Sequence, residues 1–240
     1  MLRPSLYRAR RTGVCRHGVI AFDVYGTLVD TAGIALALGR SCGERAQTAA
    51  QLWREKQLEY TFRRALMDRY VDFDTVTRQA LRYVANRLGV ELDAQAEQAL
   101  LAAYLQLPAF PDVIPGLEMI KGTGQRLVAL SNGTEKSVQR LLENAGIVGY
   151  FESLLSVERV RTFKPAPSVY ALLREATERY PEQTWLVSGN PFDVIGAKAQ
   201  GLGAAWLRRD PGSVFDPWEF SADIVAGTLP ELCRELQQLS

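Results

Sequence analysis

The sequence predicts an α/β fold: a parallel sheet with helices on both faces, interrupted by an all-helical insertion. Three observations carry that prediction. The first is a set of short, continuous apolar runs, beginning with Gly18-Val19-Ile20-Ala21-Phe22-Asp23-Val24, of the kind that fills strands buried on both faces of a parallel sheet. The second is the alternation of such runs with helical patterns over 110–240, which implies βαβ units with right-handed crossovers. The third is the stretch 33–107, rich in Ala, Leu, Gln, Glu and Arg, poor in glycine and without proline before Pro108; it reads as several helices.

The elements follow in order. The first strand ends at a Tyr25-Gly26-Thr27 turn. Further strands are expected at Arg126–Ser131, Thr184–Ser188 and Ala204–Leu207, with Asp223–Ala226 as an edge strand. Helices are expected at Glu135–Ala145, Ser168–Arg179 and Asp193–Gln200, and Leu229–Leu239 closes the chain as a helix. The division that results is a Rossmann-like core of 19–32 and 108–240, a helical cap of 33–107 over its active-site edge, and a basic N-terminal extension of 1–18. The extension holds Arg3, Arg8, Arg10, Arg11 and Arg16 and no acid. A transit peptide or nucleic-acid arm is one reading of that composition. No long apolar segment follows it, so the plainer reading is a disordered extension or an early start codon.

Composition narrows the chemistry. In 240 residues, 28 Lys+Arg oppose 27 Asp+Glu for a net charge of +1, so no global field recruits nucleic acid or a membrane surface. No apolar stretch approaches the roughly 20 residues of a membrane helix, and a cytoplasmic protein is expected. Cys15, Cys42 and Cys233 are odd in number and far apart, which fits neither a disulfide framework nor a zinc site. The single histidine is His17, in the N-terminal extension. Without a histidine in the folded part there is no Ser-His-Asp or Cys-His relay and no His-rich metal site. Carboxylates, lysine, arginine, hydroxyls and amides must do the work.

Reactive groups in open α/β sheets collect where strands end at their carboxyl edge. The strand ends here supply Asp23 and Thr27, then Ser131 and Asn132, then Ser188, Gly189, Asn190 and Asp193; Lys164 stands in Thr162-Phe163-Lys164-Pro165 before a helix. In that order, Asp23-Val24-Tyr25-Gly26-Thr27, Ser131-Asn132-Gly133, Lys164-Pro165 and Ser188-Gly189-Asn190-Pro191-Phe192-Asp193 resemble the motifs of the haloacid dehalogenase superfamily, over about 19–240.

Most of that superfamily are phosphatases, which carry a second aspartate two residues after the nucleophile and bind Mg²⁺ through a further acid in the last motif. This chain has Tyr25 and Asn190 at those positions. A hard divalent cation wants charged oxygens, whereas Lys164 offers an ammonium to bridge Asp23 and Asp193. No metal and no cofactor are therefore expected. Both differences suit a halide leaving group, which needs no proton. The sequence is more closely similar to the L-2-haloacid dehalogenases (type II), through Asp23-Val24-Tyr25-Gly26-Thr27-Leu28, the segment Leu52-Trp53-Arg54-Glu55-Lys56-Gln57-Leu58-Glu59-Tyr60-Thr61, and Tyr170 six residues after Lys164.

That resemblance implies hydrolysis of a short-chain (S)-2-haloalkanoate to the (R)-2-hydroxy acid through an ester on Asp23. It gives Lys164 the task of orienting Asp23, with Ser188 and Tyr170 holding the lysine. Asp193 and Asn190 would polarise the hydrolytic water. Thr27 and Ser131 would support Asp23 or bind the substrate carboxylate; Arg54, Asn132 and Phe192 would receive the halide; and Tyr25, Leu58 and Phe73 would wall the alkyl group. A homodimer is also implied. Departures from the pattern are Gly189 where a serine is usual, Phe192 for tryptophan, Ala166 for an acid, and Glu55 beside Arg54. Taken singly, each residue also has a plainer reading: Asp23 a strand-end cap, Lys164 and Arg54 solvated surface charges, and Phe192, Leu58 and Phe73 core. Trp53 and Tyr60 are better read as cap core or dimer surface, and Gly26 and Gly133 as backbone geometry. The alternatives at the level of function are a Mg²⁺-dependent phosphatase and a non-enzymatic relative that kept the fold.

Overall fold

A computed structural model describes residues 18–239 of the chain; the basic extension apart from Gly18, with Cys15 and His17, lies outside the described residues. Six strands, β1 (Val19–Phe22), β2 (Arg126–Ser131), β3 (Ser153–Ser156), β4 (Thr184–Ser188), β5 (Gly203–Leu207) and β6 (Ile224–Ala226), form one sheet in the order β3-β2-β1-β4-β5-β6. Every neighbouring pair is parallel. β1 is the pivot, since the order runs one way from it through β2 and the other way through β4. Such a switch point leaves a crevice at the carboxyl edge. Phe22 pairs with Ala129 on one side and Val187 on the other, and the Asp23 amide donates to the Val187 carbonyl at 3.0 Å. The sheet therefore ends with Asp23 at its centre.

Four helices stand between β1 and the rest: α1 (Ile34–Cys42), α2 (Ala46–Leu66), α3 (Phe73–Leu88) and α4 (Ala94–Tyr104). Asp72 and Asp93 cap α3 and α4, their carboxylates accepting from Thr75 N and Ala96 N, the interaction that makes aspartate a favoured N-cap. Trp53 is buried where α2 packs on α3, its indole N–H donating to the Thr77 carbonyl at 2.9 Å, as the sequence expects of a core residue. The chain enters and leaves this helical layer along adjacent segments. Asp30 N donates to Pro108 O at 2.9 Å and Phe110 N to Leu28 O at 3.0 Å, with a bridge between Val29 and Ala109.

The remaining helices are α5 (Val113–Lys121), α6 (Glu135–Asn144), α7 (Pro167–Thr177), α8 (Pro191–Ala199) and α9 (Leu229–Gln238). Two elements depart from the sequence expectation. β3 adds a strand of only four residues with serines at both ends, and α5 forms although Pro115 and Gly116 lie in its first turns. Proline is tolerated early in a helix, and Gly116 is needed, because a Cβ there would meet Leu229 Cβ at 2.2 Å. One buried apolar cluster runs from the sheet (Phe22, Leu130) into the helical layer (Trp53, Phe73). Among the described residues no helix is long and apolar enough to cross a membrane.

Candidate active site

Asp23, 6% exposed, lies at the end of β1 among four side-chain donors from three segments of the chain. Its Oδ1 accepts from Lys164 Nζ at 2.9 Å. Its Oδ2 accepts from Thr27 Oγ1 at 2.7 Å, Asn190 Nδ2 at 2.8 Å and, more distantly, Ser188 Oγ at 3.4 Å. Lys164 is 1% exposed and reaches a second carboxylate, Asp193 Oδ2, at 2.8 Å. Tyr170 Oη donates to Asp193 Oδ1 at 2.8 Å. The ammonium thus bridges the two carboxylates, as the sequence suggests. Its supports differ from the implied ones: Tyr170 holds Asp193 rather than Lys164, and Ser188 Oγ touches Asp23 and accepts from Asn190 N at 3.1 Å.

Local folding explains these positions. The turn after β1 is closed by amides of Thr27, Leu28 and Val29 donating to the Val24 carbonyl, and Gly26 adopts φ +76°, a left-handed conformation suited to glycine. Gly189 admits that turn closely, since a Cβ there would meet the Gly26 carbonyl oxygen at 2.2 Å. Lys164 precedes Pro165 across a cis peptide bond, and its amide donates to Asn132 Oδ1 at 2.9 Å. Ser131 Oγ is buried and accepts from Gly133 N at 3.1 Å.

Burial and charge set the electrostatics. Burial pulls the Lys164 pKa down, but the carboxylates of Asp193 and Asp23 outweigh it and leave the value raised. Burial raises the Asp193 pKa, and the Lys164 ammonium offsets this only in part. The Tyr170 phenol is pushed well up by burial and by Asp193, so it is a fixed donor at neutral pH.

From above, α2 directs Arg54 to the same place. Its Nη2 donates to the Tyr25 carbonyl at 3.2 Å and to Asn190 Oδ1 at 3.3 Å, and its Nη1 to Gln57 Oε1 at 2.8 Å. Glu55, exposed, accepts from Gln51 Nε2 one turn back and takes no part. The Tyr25 ring is buried, 5.3 Å from Phe73 and 5.7 Å from Tyr104 between centroids; burial holds its phenol well above the usual range. Leu58 is half-buried on α2, and one turn further Phe62 packs edge-on against Phe192 at 5.1 Å.

The site can therefore hold a buried, donor-bound carboxylate beside a permanent internal cation, beneath an arginine and an aromatic wall. A family model described as haloacid dehalogenase-like hydrolase matches residues 17–201. The chain belongs to that family. Among curated relatives of this hydrolase, haloacetate dehalogenase H-2 of Moraxella sp. is 39% identical over 197 residues, covering 82% of this chain and 88% of the relative. The (S)-2-haloacid dehalogenase of Xanthobacter autotrophicus is 38% identical over 213 residues, covering 89% and 81%. A solved structure of L-2-haloacid dehalogenase from Xanthobacter autotrophicus superposes with a TM-score of 0.87 at 34% identity, covering 93% of this chain and all of the other. A second structure of that enzyme, with chloropropionic acid covalently bound, gives 0.86.

Some of this hydrolase's site residues escaped sequence reasoning. Gln57, fully buried, accepts from both Arg54 and Tyr104 Oη (3.0 Å) and donates to Thr77 Oγ1 at 2.7 Å, which fixes the arginine's direction. A helical spacing of three from Arg54 is the one sequence signal that could have found it. Tyr104 and Phe62 carry no local signal in the sequence.

Proposed function

We propose that the protein hydrolyses short-chain (S)-2-haloalkanoic acids to (R)-2-hydroxy acids through an ester on Asp23, without a metal ion. The single observation that carries this reading is the carboxylate of Asp23, buried and shared between Lys164 on one oxygen and Thr27, Asn190 and Ser188 on the other. Oδ2 is crowded by donors, so Oδ1, with one donor, keeps a lone pair free to attack. Attack at C2 forms the C2–O bond as the carbon–halogen bond breaks, and the halide leaves with the electron pair. Arg54, Asn132 and Phe192 receive it. Charge that leaves in this way meets a guanidinium held by Gln57, an arrangement that needs no reorganisation during reaction.

Water, polarised by Asp193 and Asn190, then adds to Cγ of the ester; one of its protons goes to the departing alkoxide and the other to solvent. The Cγ–O bond breaks, Asp23 is restored as a carboxylate, and the hydroxy acid departs with the oxygen that Asp23 contributed. C2 is inverted once. Tyr170 keeps Asp193 in place, and Thr27 and Ser131 shape the loops around Asp23. Tyr25, Leu58 and Phe73 are assigned to the apolar wall around the alkyl group, which favours short acids. Helices α1–α4 act as a cap that excludes water, and the similarity to enzymes named for (S)-2-haloacids supports the substrate class. The Lys164 ammonium supports metal independence, because it fills the electrostatic role that a divalent ion would have between the same carboxylates.

The test is halide release from racemic 2-chloropropionate with EDTA present. Release should stop at half conversion, leave the (R)-substrate, and vanish in Asp23→Asn. A single turnover in ¹⁸O-water should give unlabelled hydroxy acid. Hydrolysis of p-nitrophenyl phosphate that needs Mg²⁺, with no halide release, would overturn the reading in favour of a phosphatase.

A further inference from the structure

Beyond β5 the chain passes behind the loop that carries Asp23. Arg209, with a side chain only 11% exposed, uses every face of its guanidinium there. Nε and Nη2 donate to the Thr27 carbonyl at 2.9 and 2.7 Å. Nη1 reaches both carboxylate oxygens of Asp112 at 2.7 and 2.8 Å. The group lies over the Phe110 ring, 4.2 Å from its centroid. Asp112 is itself fixed, because its Oδ2 accepts from Leu229 N at 2.7 Å at the start of α9.

The other end of Thr27 gives this arrangement its meaning. Its hydroxyl donates to Asp23 Oδ2 at 2.7 Å and accepts from Gly189 N at 2.8 Å. Within the turn, the amides of Thr27, Leu28 and Val29 converge on the Val24 carbonyl, which leaves the buried Thr27 carbonyl to find its partner elsewhere. Arg209 is that partner. Two donors of one planar guanidinium converging on one oxygen fix direction as well as distance, which a lysine's point charge cannot do.

We propose that Arg209, held by Asp112, is a positioning residue for the nucleophile: it sets the Thr27 backbone so that the Thr27 hydroxyl holds Asp23 Oδ2 and leaves Oδ1 to attack. This rests on the reading of Asp23 given above.

The experiment is the pre-steady-state phase of ester formation and halide release, with wild type, Arg209→Ala, Arg209→Lys and Asp112→Asn each mixed with saturating substrate in molar excess over enzyme. A rate constant does not depend on how much enzyme is folded, whereas an amplitude does. Arg209→Ala should slow the rate constant by about 10²-fold, the scale of a small misplacement of a reacting group. KM should stay within about threefold, the mark of an interaction that matters in the transition state alone. Methylguanidinium at millimolar concentration should restore part of the Arg209→Ala rate, and Arg209→Lys should remain slow. A rate constant within about twofold of wild type, or a lost amplitude with an intact rate constant, overturns the proposal. If Arg209→Ala does not fold, Asp112→Asn decides, with a loss of about tenfold expected and an unchanged rate constant overturning it. A wild type that releases no halide overturns the parent reading and this one together. An active wild type with unaffected variants overturns this one alone.

Discussion

An ammonium buried between two carboxylates survives only as a set, since removing any member leaves an uncompensated charge away from water. Lys164, Asp23 and Asp193 form such a set. Lys164→Met should therefore destabilise the protein by about 3–5 kcal/mol, read from urea denaturation. The pH consequences have definite signs. The folded Lys164 pKa is raised, so its contribution is fully present below the unfolded value, about 10.4, and is lost only as pH rises through the higher folded value. Asp193 is also raised, by burial first, so it ionises above the ordinary aspartate range. If it acts on water as a carboxylate, the acid limb of kcat should lie above that range too. Tyr170→Phe removes a donor that lowers Asp193's pKa and should move the limb further up, which a kcat–pH profile checks. Asp23, Asn190 and Asp193 were legible because polar residues at the ends of apolar runs stand out, and Lys164 because Lys164-Pro165 falls in order among motifs that resemble the family's. Arg209 was not, because its partner Thr27 lies 182 positions away and arginine after a strand is ordinary.

At the level of elements, α7 and α8 meet through a glycine. A Cβ at Gly196 would come within 2.3 Å of Tyr170 Oη and 2.7 Å of Pro165 Cβ. Gly196→Ala should cost about 1–3 kcal/mol by overpacking. By displacing Tyr170 from Asp193 it should also reproduce the shift of the acid limb expected for Tyr170→Phe; denaturation and the pH profile together test this. The major strands and helices of the core were legible from apolar runs alternating with helical patterns. β3 was not, because Ser153-Leu154-Leu155-Ser156 is too short to show a period. α5 was hidden by Pro115 and Gly116, residues that local propensity sets against a helix and that a tertiary contact with Leu229 explains.

For the whole molecule, the sheet sets a gradient of stability. β1 is hydrogen-bonded on both sides, by β2 and β4, and its residues are buried. β6 is a three-residue edge strand with Val225 half exposed. Hydrogen exchange should find the amides of Val19–Phe22 opening only with global unfolding and those of β6 exchanging at least about tenfold faster. That β1, with Asp23 at its end, lies at the sheet's centre was not legible, because strand order depends on pairings between segments far apart in the chain. Nor was the stacking of Tyr25 on Tyr104, because it joins the sheet edge to a helix 79 positions on.

The paired segments at Asp30–Pro108 and Val29–Ala109 mean that everything threaded between them departs and returns through one narrow neck. To the sheet, that whole helical stretch is a single long turn. Evolution or an engineer could exchange it for another of different length and lining, changing which molecules are admitted, while the carboxylate beneath keeps its bonds.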